Sequence, residues 1–201
     1  MLDSPMAAVR EALSVVDRQV VSDPSLIQAS VMVLLYLRDG EYHILLNKRS
    51  DTVEDHKGEM AFPGGRMEPT DASPEEAALR ETFEEMGVRP EDVGVLGPLG
   101  GVTTPSGYFV NPFVGTIPGA YRFTRSASEV AEVVEVPLST LVEEGAVPME
   151  VTFGDGRTKE FDVYLYEGHV IFGATARILG DLLTVLERVP DEEAPWRSGR
   201  S

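Results

Sequence analysis

The sequence predicts an α/β (α+β) fold in which a mixed central sheet is covered by helices on both faces. Three observations predict it. Short apolar and β-branched runs, bounded by Gly, Pro and Asp, recur along the chain as strands do. Amphipathic helical segments fall before, among and after those runs. The 201 residues contain neither an internal repeat nor a linker, so a single hydrophobic core is expected.

The elements follow in order. Ser4-Pro5 opens a first helix with Val9, Leu13, Val16 and Val20 along one side. Ala29 to Leu37 is an apolar strand, Arg38-Asp39-Gly40 a hairpin turn signal, and Tyr42 to Asn47 the returning strand. A loop from Arg49 to Glu59 leads to a glycine pair and the second helix. In that helix Ser73 suits the N-cap, Pro74 the first turn, Glu76 a capping box and Gly87 the left-handed stop. Val93 to Thr103 and Phe109 to Ile117 read as strands around Thr104-Pro105-Ser106-Gly107, and Val130 to Val136 as a strand ended by Pro137. Val147 to Phe153 and Lys159 to Tyr166 pair across Gly154-Asp155-Gly156. Ala174 to Arg188 is the last helix, with Ile178, Leu179, Leu182, Leu183 and Leu186 inward. From Asp191 onward, charge with Pro, Ser and Gly predicts a loose tail. The domain is therefore expected over residues 1–190 and the tail over 191–201.

Composition bounds the function. Cysteine is absent, which excludes disulfides and thiolate metal sites and suits a reducing compartment. No run of 18 or more apolar residues occurs, so no membrane span is expected, and the N-terminus lacks the pattern of a signal peptide. The expected location is the cytoplasm. Net charge is −17 with no cluster of Lys and Arg, which argues against nucleic acid as a partner. The same field repels anionic small molecules, so a phosphate-bearing substrate needs metal ions or a local basic patch. The sequence leaves open whether the chain is a monomer or a homodimer.

The chemistry concentrates on the second helix. At about 100° per residue, Glu81, Glu84 and Glu85 share one face. Ala77 and Ala78 are expected on that face, leaving room above it, with Leu79, Thr82, Phe83 and Met86 buried on the other side. Like charges four apart repel by roughly 0.2–0.5 kcal/mol, and acids near a helix C-terminus oppose its dipole by roughly 0.3–1 kcal/mol each. A hard cation with oxygen ligands, such as Mg²⁺, would reverse both penalties. A solvated acidic face explains the triplet equally well when it is taken alone.

The surrounding residues resemble the Nudix box: Gly, five residues, Glu, seven residues, Arg-Glu, an aliphatic residue, any residue, Glu-Glu, any residue, Gly and an aliphatic residue. Gly65, Arg80, Glu81, Glu84, Glu85, Gly87 and Val88 match it. Asp71 stands for the first Glu, eight residues separate it from Arg80, and Thr82 replaces the aliphatic residue. Upstream, Leu45-Leu46-Asn47-Lys48-Arg49-Ser50, Gly58 and Phe62-Pro63-Gly64-Gly65 look like the motif of coenzyme A pyrophosphatases, with Asn47 in place of Thr and Glu54 in place of an Arg. Ile171-Phe172-Gly173-Ala174-Thr175-Ala176-Arg177 is similar to a later motif of that subfamily, where Trp is usual at Phe172. The resemblance runs from about Ala29 to Leu183.

It implies an α/β/α sandwich and a pyrophosphohydrolase dependent on Mg²⁺ or Mn²⁺, acting on a small nucleotide substrate. Coenzyme A or its thioesters is the first substrate expected, and ADP-ribose, a dinucleotide or a nucleoside triphosphate the second. A Nudix-like domain that only binds a nucleotide is the non-enzymatic alternative. By position, Glu84 and Glu85 would be metal ligands, Glu81 a ligand or general base, and the Gly64 carbonyl a further ligand. Arg80 would pair with Glu81 and hold its rotamer. Gly65 would let backbone approach a phosphate. A further acid from outside the box is expected at Glu129 in preference to Glu132. Arg49, Lys57 and Arg66 are the basic residues nearest the box and would meet substrate phosphates, Arg49 foremost because it falls on the motif's Arg. Glu54 exchanges a positive for a negative charge there.

Overall fold

The structure, a computed structural model, describes residues 3–16, 23–50, 58–152 and 158–197. Its elements are α1 (Ser4–Ser14), β1 (Ile27–Arg38), β2 (Glu41–Arg49), β3 (Met60–Ala61), β4 (Gly64–Arg66), α2 (Pro74–Met86), β5 (Gly94–Pro98), β6 (Val102–Thr103), β7 (Tyr108–Thr116) and β8 (Val130–Pro137). They continue with α3 (Leu138–Glu144), β9 (Val147–Thr152), β10 (Thr158–Tyr166), β11 (His169–Ile171) and α4 (Gly173–Leu186). Short 3-10 turns lie at Pro90–Asp92, Asp191–Glu193 and Pro195–Arg197.

The main sheet is mixed. β1 and β7 run parallel at its centre, joined by a crossover that contains α2. β2, β4 and β5 extend it antiparallel, β3 and β8 both pair with β2, and β6 pairs with β7. Alternation along β1 and β2 sends successive side chains to opposite faces. One face buries Val33, Leu35, Ile44 and Leu46 with α1, α3 and α4. The other buries Met32, Leu34, Tyr36 and Leu45 under α2. This is the expected sheet with helices on both faces.

The structure departs from expectation at four places. β9 and β10 do pair, but they form a separate three-stranded sheet with β11. β11 has only three residues, too few for a period to register, and follows a turn in which Glu167 and Gly168 take positive φ. The first helix is capped by Asp3, whose carboxylate accepts from the Met6 N–H at 3.1 Å, and it ends at Ser14. Val9 and Leu13 are buried as expected, and Val20 lies outside the described residues. The chain beyond Asp191 is docked as far as Arg197. Ala194 and Trp196 are buried, the indole meets Tyr42 edge-on at 5.7 Å, and Arg197 donates to the Val189 carbonyl at 2.9 Å. One large aromatic ring outweighs the polar composition around it.

The fourth departure concerns α2. Its caps are as read: the Ser73 hydroxyl accepts from the Glu76 N–H at 3.1 Å, and Gly87 takes φ 69°. Its buried face is different. Ala77, Ala78, Thr82, Glu85 and Met86 are buried, Leu79 is half-buried, and Phe83 is 50% exposed. The two alanines do not leave room; their small side chains let the helix sit close on the sheet. Thr82 is tolerated there because its hydroxyl donates to the Ala78 carbonyl at 2.6 Å. Glu85, seven residues after Ala78, is thereby carried into the interior on the helix's buried side.

Candidate metal and phosphate site

The site forms where α2, the β3–β4 segment, the end of β2 and the approach to β8 converge. Glu85 is 5% exposed. Its Oε2 accepts from Asn47 Nδ2 at 2.8 Å and from the Gly64 N–H at 3.1 Å. Burial pushes its pKa up to about 7; the Gly64 N–H and the Arg49 charge oppose this, while Glu81 and Glu129 reinforce it. Burial likewise raises the Glu81 pKa, against the hydrogen bond from Arg80. Two carboxylates in low dielectric with a third acid beside them are costly to ionise, and a cation relieves that cost.

Arg80 organises the carboxylates. Its guanidinium donates twice to Asp71, Nε to Oδ1 at 2.9 Å and Nη2 to Oδ2 at 3.0 Å. Nη1 donates to Glu81 at 3.0 Å and Glu84 at 3.1 Å, and Nη2 to the Arg66 carbonyl at 3.0 Å. The expected Arg80–Glu81 pair is thus one part of a larger hub. The bond to Asp71 comes first among the causes that raise Arg80's pKa.

The glycines serve close approach. A Cβ on Gly65 would overlap the Glu81 carboxylate, and one on Gly64 would overlap the Ser30 carbonyl oxygen of β1. Gly64 meets the site through its N–H, which faces Glu85.

A docked loop brings the backbone of Glu129 beside the site. Ser126 N–H donates to the Glu85 carbonyl and Thr124 N–H to the Met86 carbonyl, satisfying the C-terminus of α2. The Ser50 N–H then donates to the Glu129 carbonyl at 2.8 Å. Glu129 shares the field of Glu81 and Glu85. Glu132 goes elsewhere, its carboxylate 3.5 Å from His169 Nε2. Arg49, on the same face of β2 as Asn47, acts on Glu85. Arg66 lies over the Tyr108 ring at 5.2 Å, at the exposed rim. Lys57, Glu54 and His56 lie outside the described residues.

The donor set fits a hard divalent ion. Glu81 and Glu85 are buried acids facing like charge, and Asn47 Oδ1 is a buried oxygen with no donor among the described residues. Glu84 bonds Arg80 through Oε2 and is half-exposed, and no three acidic or imidazole side chains among the described residues form a ready-made cage. Sequence reasoning passed over two contributors. Asp71 was visible only as a changed box acid, and Asn47 only as the residue in place of the upstream motif's Thr.

The NUDIX domain model matches residues 26–148. The chain belongs to the Nudix family. It is a hydrolase of phosphoric anhydrides, in a family that generally uses divalent metal ions and binds small nucleotide substrates. The uncharacterized Nudix hydrolase NudL of Cronobacter sakazakii is 38% identical over 166 residues, 81% of this chain and 84% of its own. Its Escherichia coli K12 counterpart is 36% identical over 156 residues, 77% of this chain and 80% of its own. The MutT/nudix family protein of Enterococcus faecalis superposes with TM-score 0.51 at 18% identity, covering 85% of this chain and 64% of that one, a likeness of fold. No helix among the described residues is long and apolar enough to cross a membrane.

Proposed function

We propose that this Nudix hydrolase is a cytoplasmic, Mg²⁺- or Mn²⁺-dependent enzyme that cleaves coenzyme A or acyl-coenzyme A. The products are phosphopantetheine, or its acyl form, and adenosine 3′,5′-bisphosphate. The observation that carries the reading is Arg49 set against the buried carboxylates, at the position where the coenzyme A motif has its arginine.

Glu81, Glu84 and Glu85, with the Gly64 carbonyl, would hold the ion. When bound, it supplies charge neutralisation at phosphoryl oxygens and a more acidic water. The protein's own groups do the rest. Arg80 keeps the rotamers of Glu81 and Glu84. Glu81, or Glu129 where Glu81 serves as a ligand, accepts the proton of the attacking water as its oxygen bonds to phosphorus and the bridging P–O bond breaks. Arg49 pairs with a substrate phosphate, helped by Lys57, and Arg66 stands at the rim. Gly65, having no side chain, lets the backbone lie against the Glu81 carboxylate and would let it approach the pyrophosphate. ADP-ribose is the second reading, and Glu54 favours it because an acid in that motif position disfavours the extra 3′-phosphate of coenzyme A.

The test is kcat/KM for coenzyme A, dephospho-coenzyme A and ADP-ribose at one Mg²⁺ concentration. Loss of a charge-assisted bond worth roughly 1.5–3 kcal/mol predicts a drop of about tenfold or more for Arg49→Ala with coenzyme A, and much less with dephospho-coenzyme A. A wild-type preference for ADP-ribose would overturn the coenzyme A reading and leave the family assignment intact.

A further inference from the structure

Asn47 is 1% exposed, on the stretch of β2 that pairs with β3 on one side and β8 on the other. Strands on both sides fix its backbone, opposite Ala61 and Val133. Its amide is also fixed in orientation. Nδ2 donates to Glu85 Oε2, so a flip would turn Oδ1 onto a carboxylate oxygen. Oδ1 consequently remains a buried acceptor without a donor among the described residues, beside Glu85. A native interior leaves few such groups, and an orphan next to a functional carboxylate points to a missing partner. The Gly64 N–H is the second donor on the same Glu85 oxygen.

We propose that Asn47 is a positioning residue of the metal site, its Nδ2 fixing the Glu85 rotamer and its Oδ1 accepting from the hydration shell of the bound ion. With Oε2 held by Asn47 and Gly64, Glu85 would offer Oε1 to the ion. Mg²⁺-sized ions keep several waters, and those waters are the donors that the amide oxygen lacks. A threonine hydroxyl, the group of the resembled motif at this position, donates and accepts through a single atom on a shorter arm, whereas the amide does so through two atoms set apart. The amide is therefore a feature of this chain's own site. The inference rests on the metal-dependent reading above.

Mn²⁺ affinity, measured by electron paramagnetic resonance without substrate, tests it, together with melting in EDTA. Asn47→Leu, close in volume, is expected to weaken Mn²⁺ binding about tenfold or more while changing the EDTA melting temperature little, because removal of the orphaned oxygen offsets loss of the Nδ2 bond to Glu85. Asn47→Thr, which puts a hydroxyl in place of the amide, should retain part of the affinity and serves as the test variant if the leucine form does not fold. A role in packing alone would lower the EDTA melting temperature and leave the Mn²⁺ dissociation constant of the folded protein unchanged, which would overturn the proposal. Glu85→Gln separates the two readings. If it abolishes Mn²⁺ binding while the Asn47 variants bind normally, only the role of Asn47 falls. If wild type binds no Mn²⁺, or Glu85→Gln binds it as wild type does, the metal reading falls with it.

Discussion

Asp71 and Arg80 show how one side-chain pair sets up a site it does not enter. The Asp71 carboxylate is 3% exposed and receives both Arg80 Nε and Nη2. The Arg80 hydrogen bond, and then the Glu68 N–H, hold its pKa below the usual carboxylate range. A lowered folded-state pKa means that the unfolded chain binds more protons in acid. The pair's stabilisation is thus complete above the unfolded value of about 3.9 and is lost as pH falls through the lowered folded value. Asp71→Asn should destabilise the protein by about 1–3 kcal/mol at pH 7. At about 2–4 °C per kcal/mol for a chain of this size, that is a visible fall in Tm. Melting curves from pH 7 down to pH 3 should show the gap between wild type and variant narrowing below about pH 4. A gap that widens in acid would refute the assignment. The same variant should also lower kcat, since Arg80 would be free to leave Glu81.

At the scale of elements, the β3–β4 segment and α2 are matched surfaces. Gly64 lies against backbone of β1, and Gly65 against the flexible end of Glu81. The two glycines should therefore respond differently to a single methyl group. Gly64→Ala has no soft neighbour to displace, and overpacking of this kind typically costs about 1–3 kcal/mol. Gly65→Ala can push the Glu81 carboxylate aside, so its Tm should stay near wild type while kcat falls by an order of magnitude or more, in keeping with loss of transition-state stabilisation. Equal Tm losses in both, or full activity in Gly65→Ala, would show that the close approach to Glu81 is not functional.

On the scale of the whole molecule, the C-terminal segment closes the helical face opposite the site. Trp196 packs on Tyr42 of β2, whose hydroxyl donates to Asp3 at 2.6 Å, and the Ser4 hydroxyl donates to Glu193 at 2.9 Å. The end of the chain thereby ties α1 to the strand that carries Asn47 and Arg49. Trp196→Ala should destabilise by about 3–5 kcal/mol, as large aromatic-to-alanine changes in cores do. Differential scanning calorimetry would register it. A shift under 1 °C would mean that the tail is loose after all. Added Mg²⁺ or Mn²⁺ should raise Tm, since a ligand that binds only the folded state stabilises it. Glu85→Gln should remove most of that rise.

The sequence by itself determined whatever is local or periodic. Ser73, Pro74, Glu76 and Gly87 bounded α2 because capping acts within a few residues. β1, β2, β7 and β8 were legible because apolar runs and turn residues are near neighbours in the chain, and the spacing of Gly65, Arg80, Glu81, Glu84 and Glu85 announced the family. Tertiary structure alone decided what depends on distant partners. Which side of α2 is buried followed from how closely Ala77 and Ala78 approach the sheet, so Phe83 went out and Glu85 went in. That Glu85 meets Asn47, 38 positions earlier, that the Glu129 backbone is held at Ser50, and that Glu132 goes to His169, depended on strand pairing and a docked loop. The burial of Trp196 likewise depended on a strand more than 150 positions away. Charge and composition report the solvent side of a segment. Only the packed fold reports what its other side touches.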